Sequence, residues 1–282
     1  MITDAKAALK RTSAMIRPAK YDSVPSSGSD AAEADAPPRG WCNVQSATFV
    51  LSLLAQLGTM ILSFFVLSKG GLPDILSLVL ILETVVQVVE LVWYSVIGLC
   101  VIGPCAASFS PGWRYFDWLI TTPTMLWSLY LLIIFWKSRC QTYEDLWDVE
   151  NIWWGFAAIL IADWCMLLCG SFLEVAFFRK FNGYGAWPIL PGFLFLVAAF
   201  VPHLVTLHSH YSEEGLGLTL ATLAVWMFYG LVAIGYRGQS KGAMAARNSC
   251  YNILDIISKN STGVIISIVA LNFDSEKVCP HG

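Results

Sequence analysis

The chain has 282 residues, 56% of them hydrophobic and only 13% charged, with a formal net charge of −3. Soluble domains carry about 25% charged residues, so this composition excludes a soluble globular protein and describes an integral membrane one. With no basic block, nucleic acid is excluded as a partner, and apolar runs of helical length exclude a β-barrel, whose strands alternate in roughly ten-residue segments.

Residues 1–43 are polar and rich in Ala, Ser, Asp and Pro. They hold no apolar core of the kind a cleavable signal peptide needs. Residues 2–17 have the composition of a short surface helix, and the rest reads as a disordered tail. Seven apolar segments follow, near 45–68, 74–99, 113–136, 151–174, 187–208, 214–236 and 247–272. Each approaches the ~20 residues that a helix needs to cross the hydrocarbon core. Gly70-Gly71 with Pro73, Pro111-Gly112, the charged run from Arg139 to Glu150, Gly183 to Pro188, Glu213-Glu214-Gly215 and Gly238 to Gly242 mark the breaks. Short connections make consecutive helices antiparallel neighbours. The expected fold is all-α, a single seven-transmembrane-helix bundle over 44–273 with a short tail over 274–282. No internal repeat of the secondary-transporter kind is present. None of the eight Cys forms a CxxC pair or a zinc spacing. Cys42, just before the first span, is placed to bridge two subunits.

Ionisable groups inside the spans are few. The second span carries Glu83, Gln87 and Glu90 at steps of four and three, which puts all three on one face with the acids ~10 Å apart along the axis. Such a stripe faces the bundle interior or a water-filled path; the alternative is a pair of protonated acids tying helices together. The third span carries Arg114, Asp117, Thr121, Thr122 and Ser128. Asp117 and Thr121 share a face, and Arg114, a turn before Asp117, can pair with it. The fourth has Asp163, the fifth His203 (read as a packed helix residue), and the sixth Trp226-Met227-Phe228-Tyr229.

The seventh span holds Lys259, with Asp255 four residues earlier on the same face. A lysine within a span costs about 3 kcal/mol or more. That cost is tolerated when the amine is paired, neutralised or chemically used. One reading is a plain buried Lys–Asp pair. The other is a desolvated amine that forms a Schiff base with a carbonyl compound. Trp118 and Trp226 lie near the depth of that amine and either pack the core or sandwich a flat apolar ligand.

The run Arg114-Tyr115-Phe116-Asp117-Trp118-Leu119-Ile120-Thr121-Thr122-Pro123, joined with Asp255-x-x-x-Lys259, resembles the microbial (type 1) rhodopsins over about 45–272. The resemblance implies all-trans retinal on Lys259, isomerised by light to 13-cis. It implies Asp117 and Asp255 as counterions and proton acceptors with Arg114 close by, and a retinal pocket built from Trp118, Thr122, Met166, Trp226 and Tyr229. Thr122 and Asp163 match a hydrogen-bonded pair that belongs to the gate in channel members. The three-position signature reads Asp117, Thr121, Ser128. Proton pumps usually hold a carboxylic acid at the third position, and Ser128 does not replace it. Arg247 stands where archaeal pumps place a proton-release glutamate. Gly230 replaces the usual proline, and Ala233 replaces a pocket tryptophan.

Glu90, one turn before Tyr94, falls at the level of the central-gate glutamate of channelrhodopsins. With Glu83, Gln87, Ser128 and the phrase Tyr-Asn-Ile-Leu-Asp-Ile, which contains Asn252, the chain is similar to channelrhodopsins of large marine viruses. The expectation is a light-gated cation channel and not an enzyme, with Glu83, Gln87, Glu90, Ser128, Asp163 and Asn252 along the ion path. The alternatives are an outward proton pump and a sensory receptor. The implied partners are the lipid bilayer, retinal, cations or protons, and further copies of the chain. The implied location is a plasma membrane, that of a host cell if the protein is viral. Family resemblance puts the N-terminus outside, whereas Lys and Arg crowd on that same side and by the positive-inside rule would put it in the cytoplasm.

Overall fold

The computed structural model describes residues 39–100, 110–137, 142, 146, 152–175, 187–209, 212–236 and 240–273. The surface helix expected over 2–17, most of the N-terminal tail, the tail over 274–282 and the Cys42 side chain lie outside the described residues. Among the described residues, seven helices are long and apolar enough to cross a membrane. We number them α1 (Arg39–Lys69), α2 (Asp74–Cys100), α3 (Tyr115–Lys137), α4 (Ile152–Glu174), α5 (Ile189–Ser209), α6 (Glu213–Gly235) and α7, which runs through Lys241–Asp255, one π turn Ile256–Asn260, and Ser261–Leu271.

Each helix packs on its neighbour in sequence, and α7 returns to α1, so the helices close a ring. The third lies deepest. Of its apolar window 78% is buried, against 11% for α6. Leu126, Leu129, Leu131, Leu132, Ile133 and Phe135 are all at most 2% exposed, so the second half of this helix is enclosed by its neighbours, whereas Phe116, Leu119 and Ile120 near its start face outward. The outer helices instead present apolar side chains outward, such as Leu54, Ile61 and Phe65 on α1. In a bilayer these face lipid.

Local chemistry sets the ends. Gly70 and Gly71 take φ of 66° and 74°, a left-handed turn open to glycine at little cost. Ser212 accepts a hydrogen bond from the Gly215 amide at 3.0 Å and Ser240 one from Ala243 at 3.2 Å; these caps start α6 and α7. The cap at Ser240 explains why α7 begins at Lys241 rather than near 247. The first helix begins at Arg39 rather than near 45, so it extends into the segment read as tail. The Gly238 to Gly242 run is thus shorter as a break than expected, because one serine cap outweighs the glycine within it.

Candidate functional site

Lys259 stands on the π turn of α7 and is 2% exposed. Its Nζ lies 3.1 Å from Asp117 Oδ2 on α3, 3.2 Å from Glu90 Oε1 on α2 and 3.8 Å from Asp255 Oδ1 on its own helix. Three acids from three helices therefore meet one amine. A single π turn inside an α-helix is a rare feature that is frequent at functional sites. Here the Gln87 amide donates to the Lys259 backbone carbonyl at 3.2 Å, so α2 braces the turn that carries the lysine.

Two sequence expectations change. Arg114 does not make its close pair with Asp117. Its Nη1 meets Asp255 Oδ2 at 2.7 Å, and it also donates to the Tyr94 hydroxyl and to Asn252 Oδ1. The reason is tertiary: α2 and α7 bring Tyr94, Asp255 and Asn252 around the guanidinium and hold it toward α7. Glu90, expected on the ion path beyond the counterions, sits beside the amine at a distance close to that of Asp117. Asp255 is the most heavily bonded acid. It accepts from Arg114, from Tyr94 and, at 2.7 Å, from Tyr229, whose hydroxyl also lies 2.8 Å from Ser258 Oγ.

The first helix supplies what sequence reading missed. Gln45, Thr48, Ser52, Gln56, Thr59 and Ser63 recur at steps of three and four, and all but Thr48 are at most 5% exposed. Asn252 donates to Thr48 Oγ1 at 3.0 Å and to the Gln45 carbonyl at 3.4 Å. Ser63 and Ser267 hydroxyls lie 3.5 Å apart. Gly263 lets α7 close on this stripe: a Cβ there would fall 2.8 Å from Thr59 Cγ2 and 3.3 Å from Gln87 Nε2. The signal was the helical period of the polar residues, hidden because each is uncharged and the helix is apolar on average. Asn260, next to the lysine, was also overlooked. It is 4% exposed, and neither of its amide atoms has a hydrogen-bond partner. Gln56 Oε1, Gln87 Oε1, Glu90 Oε2 and Glu83 Oε2 are likewise buried without one. Buried polar atoms are normally satisfied, so this seam between α1, α2 and α7 has capacity for water or ions.

Further along α2, Glu83 is fully buried and accepts from Ser128. Thr122 donates to Asp163 Oδ2 at 2.7 Å, joining α3 to α4, and also reaches the Trp118 carbonyl. Thr121 bonds within its own helix, to the Asp117 carbonyl at 3.0 Å. His203 is a packed residue: its Nε2 lies 2.8 Å from the Leu126 carbonyl, between Tyr130 and Phe200. Arg247 lies 3.8 Å from Glu174, which also accepts from Tyr251 at 2.5 Å.

A cavity of about 830 Å³, counting its open end, starts at Lys259 and Ser258. Trp118, Thr122, Met166, Trp226 and Tyr229 all line it, so the structure gathers every residue expected around a flat apolar ligand. Trp118 and Trp226 are each 6% exposed. The site fits a long, flat, apolar carbonyl compound: apolar walls along its length, one amine at its end and acids to balance the charge of that amine.

A seven-helix membrane protein with a buried lysine facing acids from neighbouring helices defines the class. Residues 44–273 match the family profile described as bacteriorhodopsin-like protein, and the chain belongs to that family, whose members bind retinal. Solved structures share the fold. Viral rhodopsin OLPVRII is 23% identical with a TM-score of 0.62, the match covering 82% of this chain and 99% of that one. Exiguobacterium sibiricum rhodopsin is 17% identical with a TM-score of 0.65, covering 82% and 96%. Bromide-bound halorhodopsin from Halobacterium salinarum is 19% identical with a TM-score of 0.57, covering 82% and 95%. No curated protein gives a significant match.

Proposed function

We propose that the protein is a light-gated cation channel that carries all-trans retinal on Lys259. The observation behind this reading is the polar seam between α1, α2, α3 and α7. It runs from Gln45, Thr48, Asn252 and Arg114, past the lysine and its acids, to Gln87, Thr59 and Asn260, and on to Ser63, Ser267, Glu83 and Ser128.

Bound retinal supplies a light-driven change of shape at the Lys259 nitrogen. Trp118 and Trp226 line the cavity that would hold it, and Tyr229, by donating to Asp255, fixes that acid near the Lys259 nitrogen. Asp117, Glu90 and Asp255 outnumber Lys259 and Arg114, so a proton leaving the nitrogen has an acceptor at 3.1 or 3.2 Å. Its transfer removes the charge that holds α2 and α3 against α7. Arg114 then bridges fewer partners, and its chain through Asn252 to Thr48 slackens. Oxygen atoms of Glu90, Gln87, Gln56 and Asn260 become the wall of a water path whose carboxylates favour cations. Photocurrent in a voltage-clamped cell tests this: a current that reverses sign with the cation gradient supports the channel, and a one-way current against the gradient refutes it.

A second reading, an outward proton pump, also has an observation in its favour. Ser128, at the third signature position, donates to the buried Glu83, which puts a carboxyl beside the place where pumps keep their proton donor. In a pump Glu83→Gln slows the last photocycle step while net proton transport persists. We place the protein in a plasma membrane with its N-terminus outside, on family grounds; protease access to residues 1–40 on intact cells checks the orientation.

A further inference from the structure

Gln87 is fully buried, and half of its amide is idle: Oε1 has no hydrogen-bond partner. A buried oxygen left without a donor is costly, so an apolar side chain of the same size would be the more stable choice here. What the glutamine gains is the bond from Nε2 to the backbone carbonyl of Lys259 at 3.2 Å.

That carbonyl belongs to the π turn of α7. Other main-chain oxygens of the turn also take side-chain donors. The Ser261 hydroxyl reaches the Ile256 carbonyl at 3.4 Å, and the Thr262 hydroxyl reaches the Ser258 carbonyl at 2.6 Å. Both of these donors belong to α7 and move with it. Gln87 belongs to α2, so its bond fixes the turn relative to another helix. One turn further along α2, Glu90 Oε1 lies 3.2 Å from Lys259 Nζ. The same face of α2 thus holds the lysine at both ends, its backbone at Gln87 and its amine at Glu90. Room for the first of these contacts comes from Gly263, one turn after Lys259. A Cβ there would fall 3.3 Å from Gln87 Nε2 and 2.8 Å from Thr59 Cγ2.

We propose that Gln87 is a positioning residue for Lys259: its amide holds the main chain of the lysine against α2, and this keeps the amine between Glu90 and Asp117. The proposal rests on the retinal reading above, in which the same nitrogen carries the chromophore. In the ground state the positive charge is centred on that nitrogen, and on excitation it spreads away along the conjugated chain. Acids close to the nitrogen therefore stabilise the ground state more than the excited state. A nitrogen drawn away from them absorbs at longer wavelength.

The test is the colour of the pigment and the rate at which hydroxylamine removes it in the dark. Gln87→Met keeps the length of the side chain and lacks the donor. Gly263→Ala keeps Gln87 and presses on its amide; made together with Thr59→Ser, which removes Cγ2, it leaves Gln87 as the close neighbour of the new Cβ. Each protein is reconstituted with all-trans retinal in phosphatidylcholine vesicles. Gln87→Met is expected to absorb at longer wavelength than the parent and to bleach about tenfold faster, equivalent to about 1.4 kcal/mol on the barrier. Thr59→Ser/Gly263→Ala is expected to absorb at longer wavelength than Thr59→Ser. Adding Gln87→Met to that pair should give no shift beyond that of Gln87→Met alone, because the bond is already gone. A maximum in either variant that stays put or moves to shorter wavelength, bleaching of Gln87→Met at the parental rate, or shifts that add in full each overturn the assignment. If Gln87→Met does not fold, Thr59→Ser/Gly263→Ala decides alone: a longer wavelength supports the positioning role and any other result overturns it. Failure of the retinal reading looks different, since the parent protein would then form no visible band.

Discussion

The bond between Arg114 and Asp255 gives the sharpest energetic prediction. Nη1 and Oδ2 are 2.7 Å apart, with side chains 1% and 0% exposed. At an effective dielectric near 20, the gross attraction at that distance is about 6 kcal/mol. Desolvation of both ions offsets most of it, so the intact pair adds little net stability. Breaking it from one side is another matter. Arg114→Gln leaves Asp255 buried beside Glu90 and Asp117, with two tyrosine hydroxyls as its remaining donors, and should cost about 3–5 kcal/mol. Asp255→Asn leaves the guanidinium buried without its acid and should cost a comparable amount. The double variant strands neither charge, so its cost should fall below the sum by about 2–3 kcal/mol. The assay is a four-protein cycle of unfolding free energies, read by far-ultraviolet circular dichroism as sodium dodecyl sulfate is titrated into detergent-solubilised protein. Retinal is left out so that pigment chemistry does not enter. Additivity within about 0.5 kcal/mol would refute the claim that these two residues compensate each other.

Other outcomes follow from the same geometry. Lys259→Ala, incubated with retinal, should show no visible absorption band in a purified sample; a normal band would sink the assignment of the amine. Asn260→Leu, which fills part of the seam without touching an acid, should reduce photocurrent by about tenfold or more, equivalent to roughly 1.4 kcal/mol on the conduction barrier, while the absorption maximum stays put. A coloured variant with parental current would remove Asn260 from the path. Gly155→Val tests the packing of α3 on α4: its Cβ would meet Tyr130 Oη at 2.7 Å, and thermal unfolding should report a loss of about 1–3 kcal/mol.

The fold was legible because its driving term is local. Seven runs of about twenty apolar residues leave a chain in lipid one way to satisfy its backbone, as helices, and glycine and proline punctuation separates them. Asp255 and Lys259 share a face by spacing alone. The spacing of Glu83, Gln87 and Glu90 likewise predicted one inward stripe. What spacing could not supply was the partner across the interface. Glu90 reads as a gate residue or as a protonated acid tying helices together until α2 is docked against α7, which sets it 3.2 Å from the amine. Arg114 reads as the partner of Asp117 until α2 and α7 bring Tyr94, Asp255 and Asn252 against its guanidinium. The α1 stripe was invisible for a different reason: uncharged amides and hydroxyls barely lower the apolar average of a helix, and nothing in α1 alone says that its polar face meets α7 at Gly263.

By itself, then, the sequence determined the number of spans, the lysine and two acids, Asp117 and Asp255, that could balance it. These depend on the free energy of moving each side chain from water to hydrocarbon, which is a property of residues and their period. Only the tertiary structure decided that three acids converge on the amine, that Arg114 clamps Asp255 and Asn252, and that one cavity beside the amine is lined from α3, α4, α5, α6 and α7. Those depend on distances of a few ångströms between helices remote in the chain, set by how close glycines let backbones approach and by the one turn of π-helix that aims the lysine.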